Sequence, residues 1–415
     1  MASFKIHRYV LILFFLLSNT CFAVSPIAID TTGLARVKQK IHDGTASERT
    51  HAAYRALLLK ADTFLDIKNP TVMAKTIEPP TGNKHDYLSI SRYWWPNPET
   101  PNGLPWVRKD GETNPETQTD AVDRKRLGTM AKGVENLSLA YYFSNDERYA
   151  KKASSMLKTW FLDEDTHMKP HLEFAQSVPG YSKGRPSGIL DGKSIAEIVP
   201  NALVLLSKSP HWTKNDTLKL NKWLSDYITW LTESTLGKKE NNQQNNHGSW
   251  YKFQVATLGF YLGNEPLVKE MVTLAQQSLE EQLDFEGKQT HELQRTRSFF
   301  YSCYNLDALT GIAVIGGQVG MDMWHYKTEE GKSLALAVKY LTPFINGQAW
   351  PYTDIHGVDF SGLIPTLVRL SKHSESNEFF GLLSQTIAIL VEEEKKTGNK
   401  NDVLETLILK GAINI

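Results

Sequence analysis

The sequence predicts an all-α protein, an (α/α)n toroid or incomplete barrel of helical hairpins with long loops on the cleft rim. Downstream of about residue 125, apolar residues recur at three- and four-residue spacing in successive segments separated by short polar joints. No alternating strand pattern of comparable length competes with these segments. Two joints, residues 139–146 and 258–265, look alike, because each ends one helix and caps the next.

The helices come in pairs, which is typical of stacked helical hairpins. Such hairpins form either a closed α/α toroid or an open solenoid. The joints vary in length and several long polar insertions interrupt the series, whereas a consensus solenoid shows a cleaner period. These features favour the toroid.

The first 23 residues have the pattern of a secretory signal peptide. Lys5 and Arg8 precede an apolar run over residues 9–17, and small residues follow. The run has about half of the roughly 20 residues that a membrane-spanning helix needs, so we expect cleavage and export without stable membrane insertion. Residues 24–415 would then form one catalytic domain, either periplasmic or secreted.

Charge and cysteine content argue against a nucleic-acid-binding protein and against a protein stabilised by a disulfide. Lysine plus arginine and aspartate plus glutamate each total 46, so the formal net charge is zero and nucleic acid binding has no compositional support. An anionic ligand must therefore be met by a local cationic cleft. Cleavage of the leader would remove Cys21 and leave Cys303 alone, so we expect no intrachain disulfide.

Two long stretches break the helical pattern. Residues 76–116 are dense in Pro, Gly, Asn and aromatic side chains, and residues 168–194 form a second crossover rich in Gly and Pro. Long ordered loops with many Trp and Tyr side chains are usually functional. Neither stretch resembles a linker, so they predict a cleft rim within one domain.

The first of these loops carries "YLSISRYWW", with Tyr87, Ser89, Arg92 and Trp94. Sugar rings present apolar C–H faces that pack on aromatic rings, and arginine binds a uronate carboxylate through a two-pronged fork. The alternative is that the tryptophans belong to the core and that Arg92 forms a surface ion pair. Its Pro-rich context favours the surface, where loops usually lie.

A second candidate is "ENNQQNNHGSWY", residues 240–251. The apolar stripe of the following helix begins at Trp250, so Asn246 and His247 are expected at the helix entry. Free backbone N–H groups and the helix dipole favour an anion there. The alternative is a solvated polar loop. Metal binding is less expected, because no second His, Cys or carboxylate lies at ligand spacing nearby.

A third candidate is "HELQRTRSFFYSCYNLDAL", which contains Arg295, Arg297, Tyr301 and Tyr304 and leads into another helix. Arg297 and Tyr301 are four residues apart and would share a helical face. An adjacent guanidinium lowers the pKa of a phenol from about 10 and makes the phenol usable as a base. An ordinary helix surface with a buried tyrosine would show the same residues.

Taken together, these motifs resemble the alginate lyase domain family of polysaccharide lyases. The matching segments include "HDYLSISRYWWPNPETPNG", "LEFAQSVPGYSKGRPSGILD", "NNHGSWYKFQVATL" and "ELQRTRSFFYSCYNLDAL". They follow the family order from about residue 40 to residue 370. The resemblance implies an α/α toroid exported by bacteria. It also places the chain nearest the branch that cleaves β-1,4-linked mannuronate or glucuronate.

The resemblance implies β-elimination and a set of catalytic residues. Asn246 and His247 match the residues that neutralise the substrate carboxylate, and Arg295 and Tyr301 match the family's arginine and catalytic tyrosine. H5 and O4 lie on the same side of mannuronate and glucuronate, so one tyrosine can serve as base and then acid, with Arg295 favouring the phenolate. A guluronate would need His247 as base and Tyr301 as acid.

Further residues match substrate-binding positions of the family. They are Tyr87, Ser89, Arg92, Trp94, Gln176 and Arg185. In some relatives the spacing between the arginine and the tyrosine is one residue longer, so Arg297 and Tyr304 are secondary candidates. The resemblance implies no metal and no other cofactor.

The sequence thus predicts a polysaccharide lyase that acts on β-1,4-linked polyuronate, above all mannuronate-rich alginate. Its products would carry a 4,5-unsaturated uronate at the non-reducing end, and its partner would be an anionic polysaccharide or oligosaccharide. One alternative is a lyase of glucuronan, which differs only at C2. Others are a non-catalytic binding protein and a toroid hydrolase, which needs two acids flanking the cleft.

Overall fold

The computed structural model describes residues 30–181, 188–373 and 377–413, and within them α-helices dominate. The predicted leader and Arg185 lie outside the described residues. The helices, in chain order, are α1 (Thr31–His42), α2 (Glu48–Leu65), α3 (Arg124–Ser144), α4 (Glu147–Phe161), α5 (Lys193–Leu206), α6 (Lys214–Glu233), α7 (Thr235–Asn241), α8 (Asn246–Tyr261), α9 (Glu265–Gln282), α10 (Thr290–Leu293), α11 (Ser298–Gln318), α12 (Leu334–Ile345), α13 (Ile364–His373), α14 (Glu378–Thr397) and α15 (Asp402–Leu409).

Strands are short and lie in the two loops that break the helical pattern. They are β1 (Leu88–Ile90), β2 (Trp94–Trp95), β3 (Val107–Arg108) and β4 (Phe174–Ser177). β1 pairs in parallel with β4, and β2 pairs antiparallel with β3. The first pairing joins the two loops to each other, and the second folds the aromatic loop back on itself.

Local sequence signals set the helix ends that matter for the site. The Asn245 side chain caps α8 by accepting a hydrogen bond from the His247 backbone N–H at 3.0 Å. α6 begins with a capping box between Thr213 and Asp216. α3 ends at Asn145, whose φ of 58° is the left-handed conformation that asparagine tolerates better than most residues. The next helix then starts after only two residues.

The helices form two layers, and α3, α5, α8, α11 and α13 pack side by side as neighbours in the inner layer. α8 and α11 carry buried residues on every side, as expected of helices enclosed by others. α4 and α9 pack outside α3 and α8, respectively, and bury only one face. One continuous apolar core fills the space between the layers.

Helices from the two ends of the described chain pack against each other. α2 packs against both α3 and α15. Arg49 of α2 also forms an ion pair of 2.8 Å with Glu394 of α14. The α/α toroid predicted from the sequence is therefore confirmed.

The aromatic loop, defined as residues 76–116, is fastened on two sides. On one side, the Ser91 N–H donates to the Ser177 carbonyl at 3.0 Å, and the Trp106 N–H donates to the Pro179 carbonyl at 3.1 Å. On the other side, Asp110 is bonded to Arg295 just before α11. The loop therefore spans from the β4 crossover to the start of α11. No described helix is long and apolar enough to cross a bilayer.

Candidate active site

A cavity of about 810 Å³ opens beneath the aromatic loop at one end of the inner layer. Four inner helices reach it with their N-terminal residues: Arg124 begins α3, Lys193 begins α5, Asn246 begins α8, and Phe300 lies in the first turn of α11. The positive dipole ends of these helices favour negative charge. The fold thus places the positive N-terminal ends of four helix dipoles at one cavity.

The charged side chains that line the cavity are mostly cationic. The cations are Arg92, Arg108, Arg124, Lys193 and Arg295. The carboxylate among the lining residues is Asp191, and Arg124 pairs with it at 2.7 Å. A cationic cleft in a chain of zero net charge is what an anionic ligand requires.

Asn246 lies at the N-terminus of α8 and is completely buried. Its backbone N–H donates to Glu292 Oε1 at 2.6 Å, and its Nδ2 lies 3.0 Å and 2.9 Å from Oε1 and Oε2. The carboxylate bonded at this helix entry is therefore the protein's own Glu292, whereas the sequence analysis expected the carboxylate of the substrate there. The Asn246 Oδ1 is buried and has no hydrogen-bond partner among the described residues.

His247 follows Asn246 and is held by Glu240 of α7. Its Nδ1 lies 2.7 Å from Oε1 of the buried Glu240. Glu240 also accepts the backbone N–H groups of Gly188 at 3.0 Å and Ile189 at 3.3 Å. When Nδ1 donates to this carboxylate, neutral His247 carries its free lone pair on Nε2. Nε2 is thereby the ring nitrogen left for a ligand, as an acceptor in the neutral ring and as a donor in the imidazolium.

The glycine of "NNHGSW" has a steric cause. A Cβ on Gly248 would lie 2.0 Å from the Gln243 carbonyl oxygen. This close approach lets the chain between α7 and α8 fold tightly, so that Asn246 and His247 enter the helix together.

Arg295 and Tyr301 are in direct contact. The Arg295 guanidinium lies over the Tyr301 ring, 3.7 Å from its centre. The Tyr301 hydroxyl donates to the Tyr93 hydroxyl of the aromatic loop at 2.9 Å. Arg297 instead places its guanidinium over Phe300 at 4.2 Å. Of the two candidate arginines, Arg295 is thus the one stacked on this phenol.

The charge balance at Tyr301 corrects one expectation. Burial raises the pKa of Tyr301 above its ordinary value, and the Arg295 guanidinium opposes that rise without cancelling it. The free enzyme therefore holds Tyr301 as a phenol. The sequence analysis weighed the guanidinium but not the burial of the ring, which is 7% exposed.

Asp110 fixes Arg295 from the aromatic loop. Its carboxylate accepts from Arg295 Nε at 3.0 Å and from Arg295 Nη2 at 2.7 Å, and it also accepts the Thr296 N–H at 3.1 Å. Burial raises the pKa of Asp110, but the bonds from Arg295 and Thr296 outweigh it and hold the pKa well below its usual range. Asp110 is therefore ionised throughout the neutral range.

Asp191 organises the opposite wall of the cavity. It accepts from the hydroxyls of Tyr87 at 2.9 Å and Ser89 at 2.6 Å. Gln176 Nε2 lies 3.3 Å from the same carboxylate, and Gln176 has a positive φ of 49°. Such backbone strain in a residue other than glycine is concentrated at functional sites. Arg124 completes the group from α3.

Lys193 adds a cation beside an aromatic wall. Its Nζ lies 4.4 Å from the centre of the Trp250 ring and 5.4 Å from that of Tyr304, and it pairs with Glu197 at 3.0 Å. Burial raises the pKa of Tyr304 to about 12, so its hydroxyl is protonated at neutral pH. Phe300 stacks on Tyr304 with their ring centres 5.6 Å apart.

Most of the residues singled out in the sequence meet at this cavity. Its lining includes Tyr87, Arg92, Trp94, Gln176, Asn246, His247, Arg295, Tyr301 and Tyr304. Ser89 lies behind the wall, where it bonds Asp191, and Arg297 does not line the cavity. Arg185 falls outside the described residues.

Sequence reasoning missed several residues that hold this arrangement. They are Asp110, Arg124, Lys193, Glu240 and Glu292, while Tyr93 and Asp191 were noted in the two loops without a role. Glu292 lies three residues before Arg295 in a quoted motif, so its position was a usable signal. Asp110 and Glu240 gave none, because their partners are set by the tertiary fold.

Comparisons with known proteins agree with this architecture. The family model described as alginate lyase matches residues 71–350. A crystal structure of an alginate lyase from Bacteroides ovatus is 32% identical, covers 94% of this chain and 99% of its own, and superposes with a TM-score of 0.83. A comparison with curated protein sequences gives no significant match.

More distant solved structures share the fold. Alginate lyase A1-III from Sphingomonas species A1 is 16% identical, with a TM-score of 0.54 over 86% of this chain and 91% of that one. A variant of alginate lyase A1-III complexed with a tetrasaccharide is also 16% identical and gives a TM-score of 0.57, over 86% and 90%. The family model and the relative from Bacteroides ovatus together show that this chain belongs to the alginate lyase family of polysaccharide lyases.

Proposed function

We propose that this lyase cleaves β-1,4-linked mannuronate in alginate by β-elimination and leaves a 4,5-unsaturated uronate at the new non-reducing end. The observation that carries this proposal is the meeting of Asn246, His247, Arg295 and Tyr301 at one cationic cavity. They are the residues that the family resemblance assigns to catalysis. Similarity to alginate lyases supports alginate as the substrate.

The first requirement of the reaction is neutralisation of the C6 carboxylate. H5 is poorly acidic while that carboxylate bears a full charge, and removal of H5 adds further negative charge to it. Asn246 and His247 lie at the N-terminus of α8, where the helix dipole favours this charge. We assign the Asn246 amide and the His247 ring, which donates through Nε2–H in its imidazolium form, to hold the carboxylate.

The second requirement is a base for H5 and an acid for O4. In mannuronate both atoms lie on one side of the ring, so a single phenol serves both steps. We assign them to Tyr301, whose phenolate would be stabilised by the stacked Arg295 guanidinium and by a hydrogen bond from Tyr93. Because free Tyr301 is protonated, its hydroxyl proton must first pass to solvent water; the phenolate then removes H5 and delivers that proton to O4.

The third requirement is binding of a polyanion along the cavity. Arg92, Arg124 and Lys193 lie in the lining away from the Asp110 ion pair, and the stacked Phe300 and Tyr304 give flat apolar surface. Sugar C–H faces pack on such rings, while the cations meet carboxylates of neighbouring units. The cavity thus matches the alternating apolar and anionic character of a polyuronate.

The test is to incubate the protein with polymannuronate, polyguluronate and glucuronan and to follow the ultraviolet absorbance of the unsaturated product. We expect absorbance from polymannuronate, no measurable turnover by Tyr301→Phe, and turnover by Tyr304→Phe within about tenfold of the wild type. Tyr304 is the matched control, because it lies one helical turn further in the same wall.

Other outcomes would reassign the function. Preference for glucuronan would mean that the substrate is β-1,4-linked glucuronate, the C2 epimer of mannuronate. Reducing ends without absorbance would indicate hydrolysis, and binding without either product would indicate a non-catalytic protein. Full activity of Tyr301→Phe together with loss in Tyr304→Phe would move the acid and base one turn along α11.

A further inference from the structure

Glu292 on α10 is a buried carboxylate that grips the neutralising asparagine. The residue is 1% exposed, and both of its carboxylate oxygens lie within 3.0 Å of Asn246 Nδ2. Oε1 also accepts the Asn246 backbone N–H at 2.6 Å. The side chain therefore contacts Asn246 at two points, and it controls how the amide is turned.

Few charges act on this carboxylate. Arg295, three residues further along the chain, stabilises the ionised form of Glu292, and Asp110 of the aromatic loop disfavours it. The imidazole of His247 is bonded to a different carboxylate, that of Glu240. Burial raises the pKa of Glu292 to about 7, although the Asn246 hydrogen bonds lower it. Both protonation states are consequently accessible near neutral pH.

The two states demand opposite orientations of the Asn246 amide. An ionised carboxylate only accepts hydrogen bonds, so it holds Nδ2 and leaves Oδ1 as the free end of the amide. The buried Oδ1 has no partner among the described residues. A substrate carboxylate beside that oxygen would meet an acceptor and be repelled. This orientation is unsuited to neutralising a carboxylate.

A protonated Glu292 removes the conflict. Its Oε1 still accepts the backbone N–H of Asn246, while the proton on Oε2 is donated to Asn246 Oδ1. The amide then turns by about 180° about its last side-chain torsion, which interchanges two ends of nearly equal size. Nδ2 then takes the place of Oδ1, and Glu292 no longer holds its two N–H groups.

We propose that Glu292 is the positioning residue of the neutralising pair, and that its protonated form turns the Asn246 amide so that its N–H groups face the substrate carboxylate. This inference rests on the proposed lyase function. Entry of the negative substrate further favours the protonated form of Glu292. Substrate binding and proton uptake by Glu292 are therefore coupled.

The test compares Glu292→Gln with the wild type across pH 5.5 to 9. The glutamine keeps the size of the side chain, accepts the Asn246 backbone N–H through its oxygen and donates to Asn246 Oδ1 through its amide. It mimics the protonated state at every pH. All other ionisations are common to both enzymes, so they cancel in the ratio of their kcat/KM values.

We expect the kcat/KM of Glu292→Gln divided by that of the wild type to be constant below pH 7. Above pH 7 it should rise about tenfold per pH unit, as one ionisation in the wild type requires. The same ratio for kcat should start to rise at a higher pH, because bound substrate keeps Glu292 protonated. Glu405→Gln is the matched control. Its buried carboxyl also has a raised pKa, but it lies on α15 away from the cavity, so its ratio should stay flat.

A flat Glu292→Gln ratio across this range, with an active wild type, overturns the inference and leaves the lyase function intact. A wild type that forms no unsaturated product overturns the proposed function instead. Calorimetry covers the case in which Glu292→Gln does not fold. Binding of a mannuronate oligomer to Tyr301→Phe at pH 8, in buffers of different ionisation enthalpy, should take up close to one proton. Uptake of none contradicts the inference.

Discussion

The ion pair between Asp110 and Arg295 gives the sharpest test of how the aromatic loop serves catalysis. Asp110→Asn keeps the shape of the side chain but removes its charge, and the new amide places a donor against the guanidinium. Three contacts between the two side chains, at 3.2, 3.0 and 2.7 Å, are weakened together. Arg295 then loses the group that holds it over Tyr301.

The size of the effect follows from the burial of the pair. A hydrogen bond to a charged group contributes about 1.5 to 3 kcal/mol, and breaking a fully buried pair costs about 3 to 5 kcal/mol. The two side chains are 17% and 20% exposed, so we expect a loss near the lower bound, about 3 kcal/mol. With an unfolding entropy of roughly 0.8 kcal/mol/K for a chain of this length, Tm falls by about 4 °C.

The catalytic effect should exceed what this loss of stability explains. Without Asp110 the guanidinium no longer lies fixed at the Tyr301 ring, and the phenolate loses its stabilising cation. Loss of one such preorganised group lowers kcat by about 100-fold. The assay is the rate of unsaturated product formation, measured well below Tm, where both enzymes are folded.

The matched control is Glu394→Gln, which breaks the Arg49 ion pair of similar burial between α2 and α14. It should lower Tm to a similar extent and leave kcat within about twofold. If Asp110→Asn also keeps kcat within twofold, the ion pair is only a structural fastening and the reasoning fails.

The pH dependence gives a second check on Asp110. A carboxyl whose pKa is depressed on folding contributes stability that is fully present above its unfolded value, about 3.9, and is lost as pH falls through the folded value. The difference in Tm between the wild type and Asp110→Asn should therefore be equal at pH 6 and pH 8. It should shrink only below about pH 4.

Two further predictions concern the cavity wall and the core. Lys193→Met should raise KM for polymannuronate about tenfold with kcat nearly unchanged, because the cation beside Trp250 meets a carboxylate remote from the reacting bond. Lys193→Arg keeps the charge, so its KM and kcat should stay close to those of the wild type. Burial raises the pKa of the Cys303 thiol. In the mature chain an aromatic disulfide reagent should therefore react with this thiol only at the rate of unfolding. Rapid labelling of the native protein would contradict the burial.

The fold was predictable because helical periodicity is a local property. The apolar stripes downstream of residue 125 became α3 to α14, and the two Pro- and Gly-rich stretches became the loops around the cavity. The sequence analysis did not place α1 and α2, because it read helical periodicity only downstream of about residue 125. It expected a helix entry at Asn246 and left a solvated loop as the alternative for the polar run; residues 242–245 are non-helical, but Glu240 belongs to α7 and is fully buried. That burial depends on His247, which no local pattern reveals.

The candidate site was predictable in its motifs and not in its supports. Asn246 and His247 stand where a helix begins, and the helix entry could be inferred from Trp250 onward. Asp110 meets Arg295 across 185 residues of chain, and Tyr93 meets Tyr301 across 208. Such pairs arise when the circuit of helices closes, so their identity is fixed by the fold as a whole.

These long separations bear on when the enzyme becomes active during its synthesis. The aromatic loop is made early, but its second attachment at Arg295 belongs to a part of the chain made about two thirds of the way along. Until α10 and α11 have been synthesised and packed, the ribosome-bound chain has neither Tyr301 nor the carboxylate that holds Asn246. The chain therefore becomes catalytically competent late in its synthesis, and unfinished chains do not cleave the polymer.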